Sequence, residues 1–389
     1  MSKLQKELRE LAQYQNQEGA VVSLYLNLSD PSRVSTELNS LVRTAAKRLE
    51  EDERFKAEQR KSIEHLLFEL DRHVKSVIGP ETRARLLVVF ADTEGFRSEY
   101  HLQVPLPSRM VVQQNPYTRP LSFLLDEFPE YSILVADARN ARLFSLFLGA
   151  FEEQPGFFIQ NEVPDRVSVK KSMAVSAWGV YSGMGDQRIQ RHVEDHIHRH
   201  LLKVAERTFE LLKKDGFDRL ILAAPDERTL SQLKDHLHSY LRQRVRGEFL
   251  ARPEDADQVL REKALETARK SEHDEERRLL DRVLDLHFSG GLGVIGVQPV
   301  VDALNMGQVH TLVMNADFST SGYLCPQDNH LSLGKASCPV CGGRLTPTER
   351  FPDEIVQEAI NQGAEVRHTT VGHESFDSYG IGALLRFRI

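Results

Sequence analysis

A glycine-rich turn that breaks into a long amphipathic helix constrains this chain more than any other feature. Within Ala177 to His200 (AWGVYSGMGDQRIQRHVEDHIHRH), Ser182, Gly183, Met184, Gly185 and Asp186 are costly to hold in a helix together, because glycine gives up the most backbone freedom there. The chain is expected to turn at these residues, with Gln187 on the first turn of the helix that follows. Ile189, Val193, Ile197, Leu201 and Val204 then recur at spacings of four and three, drawing one apolar stripe down a helix to about Lys214. The loop is thereby held at the tip of a packed rod.

Short apolar runs supply sheets around that rod. Val21 to Leu28 reads as a strand stopped by Asp30 and Pro31, and helices with recurring leucines fill Ser35 to Val77. Leu86 to Ala91 reads as a buried strand. Ile133 to Ala136 and Ala141 to Leu148, joined by the turn-like Asp137, Ala138, Arg139 and Asn140, predict a hairpin. Leu220 to Ala223 is a further strand, and Asp226 caps a helix running through Leu233. The charged stretch from Glu254 to Leu286 reads as a long, mostly solvated helix, its apolar residues gathered near the end as Leu279, Leu280, Val283, Leu284 and Leu286. Beyond it lie a helix at Gln298 to Asn305, a strand at Val309 to Met314, a helix at Asp353 to Gln362, and strands at Ala364 to His368 and Gly382 to Phe387. The fold class is α/β, and the expected domains are 1–125, 126–252 and 253–389, with a cysteine-bearing insertion at 323–346.

At 389 residues the chain exceeds the usual size of one core. It has no uninterrupted apolar run of about eighteen residues and opens on a charged, helix-like segment rather than a signal peptide, so no membrane role is expected. With 50 basic and 57 acidic side chains and a net charge of −7, it is unsuited to indiscriminate coating of nucleic acid, and DNA is not an expected partner. An RNA partner met by a local basic face remains compatible with that total. All three cysteines fall between Cys325 and Cys341, which is no disulfide framework and fits a reducing cytoplasm.

Three groupings carry candidate chemistry. Gly291, Gly293 and Gly296 spell the dinucleotide fingerprint, but a charged helix rather than a strand enters them, which favours a turn at a domain start over a phosphate cradle. Cys338-Pro-Val-Cys341 is a knuckle whose two thiolates can face one tetrahedral ion, and Cys325 with His330 completes four ligands for a structural Zn2+. Such a closed site has no open position for catalysis. His192, His196 and His200 share a helical face, but the flanking cations Arg188 and Arg199 repel a metal there, so a polar shoulder touching solvent or RNA phosphate is the better reading.

These residues together resemble the archaeo-eukaryotic class-one release factors, their relative Pelota, and the bacterial branch that includes Balon-like hibernation factors. Gly296-x5-Asp302-Ala303-Leu304-x2-Gly307-x-Val309-x-Thr311-Leu312 and Tyr379 to Phe387 (YGIGALLRF) resemble the family's third domain, and Cys325 to Cys341 its small zinc-ribbon-like insertion. In release factors the focal loop is Gly-Gly-Gln, with an arginine four residues after the glutamine. Here Gly185, Asp186 and Gln187 take those places and Arg191 follows. The family's Asn-Ile-Lys-Ser decoding motif is absent.

The resemblance implies a three-domain, tRNA-shaped factor in the ribosomal A site, acting on idle or stalled ribosomes in hibernation or rescue without reading stop codons. It implies rRNA, and for rescue peptidyl-tRNA, as partners, delivery by a translational GTPase such as EF-Tu, and RNA contacts from Arg188, Arg191, His192 and Arg199. A competing expectation is peptidyl-tRNA hydrolysis with Gln187 positioning water and Gly183 and Gly185 supplying flexibility. Asp186 opposes it, because a side chain restricts the backbone and its charge disfavours the developing oxyanion. A third is an RNA-binding or scaffold protein away from the ribosome.

Overall fold

The computed structural model describes residues 7–8, 10–11, 14, 16, 19–51, 55–79, 82–160, 183–215, 218–334, 337–348 and 350–388. The chain is mixed α/β and forms two compact units, one made from 1–129 with 272–389 and the other from 130–271.

The first unit begins with β1 (Val21–Asn27), helices α1 (Pro31–Glu51) and α2 (Ala57–Val77), and strands β2 (Leu86–Asp92), β3 (Arg97–Leu102) and β4 (Arg109–Gln113). These strands form an antiparallel sheet in the order β3-β2-β1-β4. Alternate residues Val22, Leu24 and Leu26 point to the helices, which answer with Ile63, Leu67, Leu70 and Val74 at helical spacing. Helix α3 (Arg119–Glu127) closes this part.

In the second unit, β5 (Tyr131–Ala136), β6 (Asn140–Phe147), β7 (Ala150–Glu153) and β8 (Ile159–Gln160) precede helix α4 (Gly183–Asp215). Strand β9 (Leu220–Ala224), helices α5 (Glu227–His236) and α6 (Ser239–Arg242), and β10 (Val245–Leu250) follow. The sheet runs β10-β9-β5-β6-β7, with β10, β9 and β5 parallel and β6 and β7 antiparallel. The expected hairpin is present. Asp137 Oδ1 accepts from the N–H groups of Arg139 and Asn140, each at 2.7 Å, and so turns the chain between β5 and β6. Asp226 caps α5 as expected, its carboxylate accepting from the Thr229 N–H at 2.9 Å.

Helix α7 (Asp257–Phe288) corrects the expectation of a mostly solvated rod. Its residues in the second unit bury Leu260, Ala264 and Ala268 against Tyr131, Ile133 and Val135. Two of those three contacts are alanines, so the stripe carries little apolar bulk to read. Its residues in the first unit bury Leu280, Val283 and Leu284, together with the carboxylates of Glu272 and Glu276.

The rest of the first unit comprises β11 (Gly293–Ile295), α8 (Val297–Asn305), β12 (Val309–Asn315), β13 (Gly322–Leu324), β14 (Leu331–Ser332), β15 (Thr346–Thr348), α9 (Phe351–Asn361), β16 (Glu365–Thr369), α10 (Glu374–Asp377) and β17 (Ile381–Leu385). One sheet runs β11-β17-β12-β16; a separate ribbon runs β14-β13-β15. The glycine fingerprint serves packing. A Cβ on Gly293 would lie 2.5 Å from the Val283 carbonyl oxygen and 2.7 Å from the His287 nitrogen, both in the backbone of α7. Gly296 has φ +90°, which favours glycine. Gly293→Ala is therefore expected to destabilise the first unit by about 3 kcal/mol, the upper end of overpacking costs. Thermal unfolding checks this against Gly334→Ala, whose Cβ would meet only Ser332 Oγ at 4.0 Å.

A buried polar network ties α3 and its N-cap to α9 and β16 of this unit. Thr118 Oγ1 donates to Gln357 Oε1 at 2.9 Å, and Arg119 Nη1 pairs with Asp353 at 2.7 Å. Asp126 pairs with Arg367 at 2.6 Å and accepts from the His368 N–H. Burial pushes the Asp126 carboxyl up to about 7, with Glu272 and Glu276 adding to the rise against the pull of Arg367. Burial, aided by the charges of Arg119 and Arg367, pushes His368 down to about 3.

Candidate functional site and candidate metal centre

Helix α4 begins earlier than its glycines suggest. It starts at Gly183, so Gly183, Gly185 and Asp186 lie within its opening turns rather than in a loop before Gln187. Two glycines cost about 1 kcal/mol each relative to alanine in a helix interior. Ala177 to Ser182, and the side chains of Gln187, Arg188, Arg191 and His192, lie outside the described residues.

The later part of the helix is firmly seated. Leu201, Val204, Ala205 and Leu212 pack with Leu134, Leu143, Leu220 and Leu222 from the sheet beneath, each fully buried leucine being worth about 2 kcal/mol. Arg199 is exposed and sits 3.8 Å from Asp195. His200 turns inward and is 4 % exposed, its Nε2 without a hydrogen-bond partner; burial lowers its pKa. The expected histidine face is thereby split between core and surface. Among the described residues no group of metal donors includes His196 or His200.

A cleft missed by the sequence reading opens beside this helix, with a cavity of 930 Å³ lined by Asp137, His198, Asp226, His236, Arg252 and Glu254 among others. It lies at the carboxyl ends of β5, β9 and β10, where open α/β sheets commonly hold ligands. His198 meets His236 edge-on at 4.4 Å, and burial followed by the proximity of His198 lowers the pKa of His236. The visible signals were the turns at Asp137 and Pro225-Asp226, legible as turns but not as a shared rim.

The cysteines converge in the ribbon. The sulfurs of Cys325, Cys338 and Cys341 and a carboxylate oxygen of Asp328 all lie within 4.8 Å of one another. Cys325 and Cys341 are 3.4 Å apart at sulfur, and Cys338 Sγ is 3.2 Å from Asp328 Oδ2. Three thiols and one carboxylate suit a tetrahedral ion with ligand bonds of about 2.0–2.3 Å. The fourth side chain in this cluster is Asp328, where the spacing led to the expectation of His330. The reason is the turn: Cys325 N donates to the His330 carbonyl at 3.0 Å, and His330 N donates to Asp328 Oδ1 at 3.1 Å. With Asn329 at φ +59°, His330 joins the turn through its backbone while Asp328 meets the sulfurs. The hydrogen bond from Cys325 holds the Asp328 carboxyl well below the usual range.

Residues 116–272 match the sequence profile of bacterial archaeo-eukaryotic release factor family 10. Peptide chain release factor subunit 1 of Methanocaldococcus jannaschii is 24% identical over 310 residues, spanning 70% of this chain and 69% of that protein. Among solved structures, the archaeal translation termination factor aRF1 is 16% identical across 98% of each chain, with a TM-score of 0.26. Archaeoglobus fulgidus Pelota is 16% identical over 78% of this chain and 79% of its own, with a TM-score of 0.32. The matched segment contains the whole of α4. Among the described residues no helix is long and apolar enough to cross a membrane.

Proposed function

We infer that this chain is a translation factor of the release-factor and Pelota type, a reading supported by the match of residues 116–272 to a bacterial release-factor family and by the similarity to peptide chain release factor subunit 1. It acts in the cytoplasm on idle or stalled ribosomes, entering the A site and contacting rRNA without reading stop codons. The observation that carries this is α4, a long helix anchored on the second unit's sheet, opening on Gly185, Asp186 and Gln187 inside the family-matched segment. Its tip is directed to the peptidyl-transferase centre, and Arg188, Arg191, His192 and Arg199 meet RNA phosphate. A translational GTPase such as EF-Tu delivers it, and DNA is no partner. Hibernation is favoured over catalysis because Asp186 places a negative charge beside Gln187, where an oxyanion would develop.

The second reading rests on Gln187 itself, the residue that would position water against the ester of peptidyl-tRNA. Two measurements separate the readings. The factor is expected to pellet with ribosomes and to be released as salt rises; failure to pellet at low salt ends both. With ribosomes carrying peptidyl-tRNA, binding without peptide release is expected. Release that disappears in Gln187→Ala would establish the hydrolase instead.

In the ribbon, the ion that fits is Zn2+, held by Cys325, Cys338, Cys341 and Asp328. All four positions are filled by protein, so its chemistry is structural: it fixes β13, β14 and β15 around a segment with little apolar core of its own, Leu345 being the buried aliphatic side chain packed beside Cys325 and Cys338.

A further inference from the structure

Spacing in the chain makes Cys338 and Cys341 neighbours, yet the ribbon brings Cys341 against a different sulfur. Cys325 follows β13 and opens a turn in which its N–H donates to the His330 carbonyl and the Asn329 N–H donates to the Cys325 carbonyl, each at 3.0 Å. Cys338 and Cys341 share the knuckle before β15, where the Cys338 N–H donates to the Gly343 carbonyl at 2.8 Å and the Gly342 N–H to the Cys338 carbonyl at 2.9 Å. Across these two turns Cys325 Sγ and Cys341 Sγ stand 3.4 Å apart. A disulfide bond is about 2.0 Å long, so an approach of about 1.4 Å separates this pair from a bond.

The three sulfurs differ in their surroundings. Cys341 is exposed, whereas Cys325 and Cys338 are buried. A dissolved oxidant therefore meets Cys341 first. Cys338 Sγ is turned to Asp328, 3.5 and 3.2 Å from its two carboxylate oxygens, and accepts from the Val340 N–H at 3.4 Å. Its sulfur is thus engaged by the carboxylate and by its own knuckle, while Cys325 lies against the exposed thiol.

We propose that Cys341 and Cys325 form an oxidant-sensitive thiol pair, which a hydroperoxide converts to a disulfide across the ribbon while Cys338 stays reduced. Cys341 Sγ attacks one oxygen of hydrogen peroxide, the O–O bond breaks, and the thiol proton leaves with the departing oxygen as water; the product is a sulfenic acid. Cys325 Sγ then attacks the Cys341 sulfur, the S–O bond breaks, and the second thiol proton leaves with the departing hydroxide as a second water. Two electrons pass from the sulfur pair to the peroxide. Where the pair holds Zn2+ in place of its two protons, two protons from solvent complete the waters and the ion is released. That release rests on the reading of the ribbon as a zinc site; the pairing itself rests on where the sulfurs lie.

The test uses the full chain, purified under reducing conditions without chelator, freed of reductant, treated with a small excess of hydrogen peroxide, alkylated, and mapped by mass spectrometry without reduction. The Cys325–Cys341 linkage is expected to exceed Cys338–Cys341 at least about tenfold, because the contact favours it, and Cys338 to carry the alkyl label. Dimedone added with the peroxide should mark Cys341 as the sulfur oxidised first. A metallochromic dye should report loss of about one zinc ion per chain, recovered on reduction with added zinc. Unfolding in guanidinium before oxidation should erase the preference, because the assigned pair is then simply the more distant in sequence, 16 residues apart. A major Cys338–Cys341 linkage, three thiols surviving the peroxide, or a preference that persists in the unfolded chain each overturns the proposal. If the chain as purified carries no zinc and the Cys325–Cys341 linkage forms, only the zinc reading fails; if zinc is present and the linkage does not form, only this proposal fails.

Discussion

Cys325→Ser is expected to strip zinc from the purified chain, from about one ion to a small fraction of one, and to unfold the ribbon around it. Structural zinc contributes on the order of 10 kcal/mol of apparent binding energy in small modules. Within the ribbon, Cys325 and Cys338 are themselves buried, with Leu345 and the partly buried Tyr323 beside them, while Leu324 and Leu331 pack on the main core of the unit. Elemental analysis gives the first readout, and hydrogen exchange of the amides in 322–348 the second. The ligand set is tested independently by comparing Asp328→Ala with His330→Ala. The first should lose metal and the second keep it, because His330 enters the turn through its backbone. Metal lost from His330→Ala but kept by Asp328→Ala would reverse the assignment, and wild-type protein purified without chelator and free of zinc would end it.

The second large effect lies in the polar network of the first unit. Asp126→Ala is expected to destabilise that unit by about 3 kcal/mol, the lower end of what breaking a buried ion pair costs. It takes the lower end because Glu272, 3.8 Å from Arg367, retains part of the countercharge. In a unit of this size the midpoint of thermal unfolding should fall by on the order of 10 °C. The pH dependence has a definite sign. A carboxyl raised from 3.8 to about 7 holds its proton more tightly in the folded state, so its contribution is complete below about 4 and lost as pH rises to about 7. His368, lowered from 6.5 to about 3, contributes fully above about 6.5 and loses that contribution as pH falls toward 3. Denaturant unfolding of wild type and Asp126→Asn at pH 5 and pH 8 isolates the first slope. Wild type should lose stability relative to the variant as pH rises, and wild type gaining stability relative to the variant toward pH 8 would contradict this origin.

Strands buried on both faces were the most legible part of the fold. Val21 to Asn27, Leu86 to Asp92 and Leu220 to Ala224 are runs of apolar residues with clear stops. Edge strands were not: Arg97–Leu102 reads RSEYHL, largely half-exposed, and its pairing with β2 comes from the sheet rather than from its own pattern. The stripe of α7 was hidden because alanines do much of its packing. At the ribbon, cysteine spacing located the knuckle, yet the choice between Asp328 and His330 turned on a left-handed Asn329, which spacing does not encode.

The pairing of Thr118, Arg119 and Asp126 with Gln357, Asp353 and Arg367 has a consequence for synthesis. Partners more than 230 residues apart cannot meet until nearly the whole chain has left the ribosome that makes it. Until then α3 carries a carboxylate and a guanidinium with no countercharge from that network. The sheet of β1 to β4 gains this closure last, so a nascent chain stalled before residue 350 presents a recognisable unfinished face to chaperones and proteases.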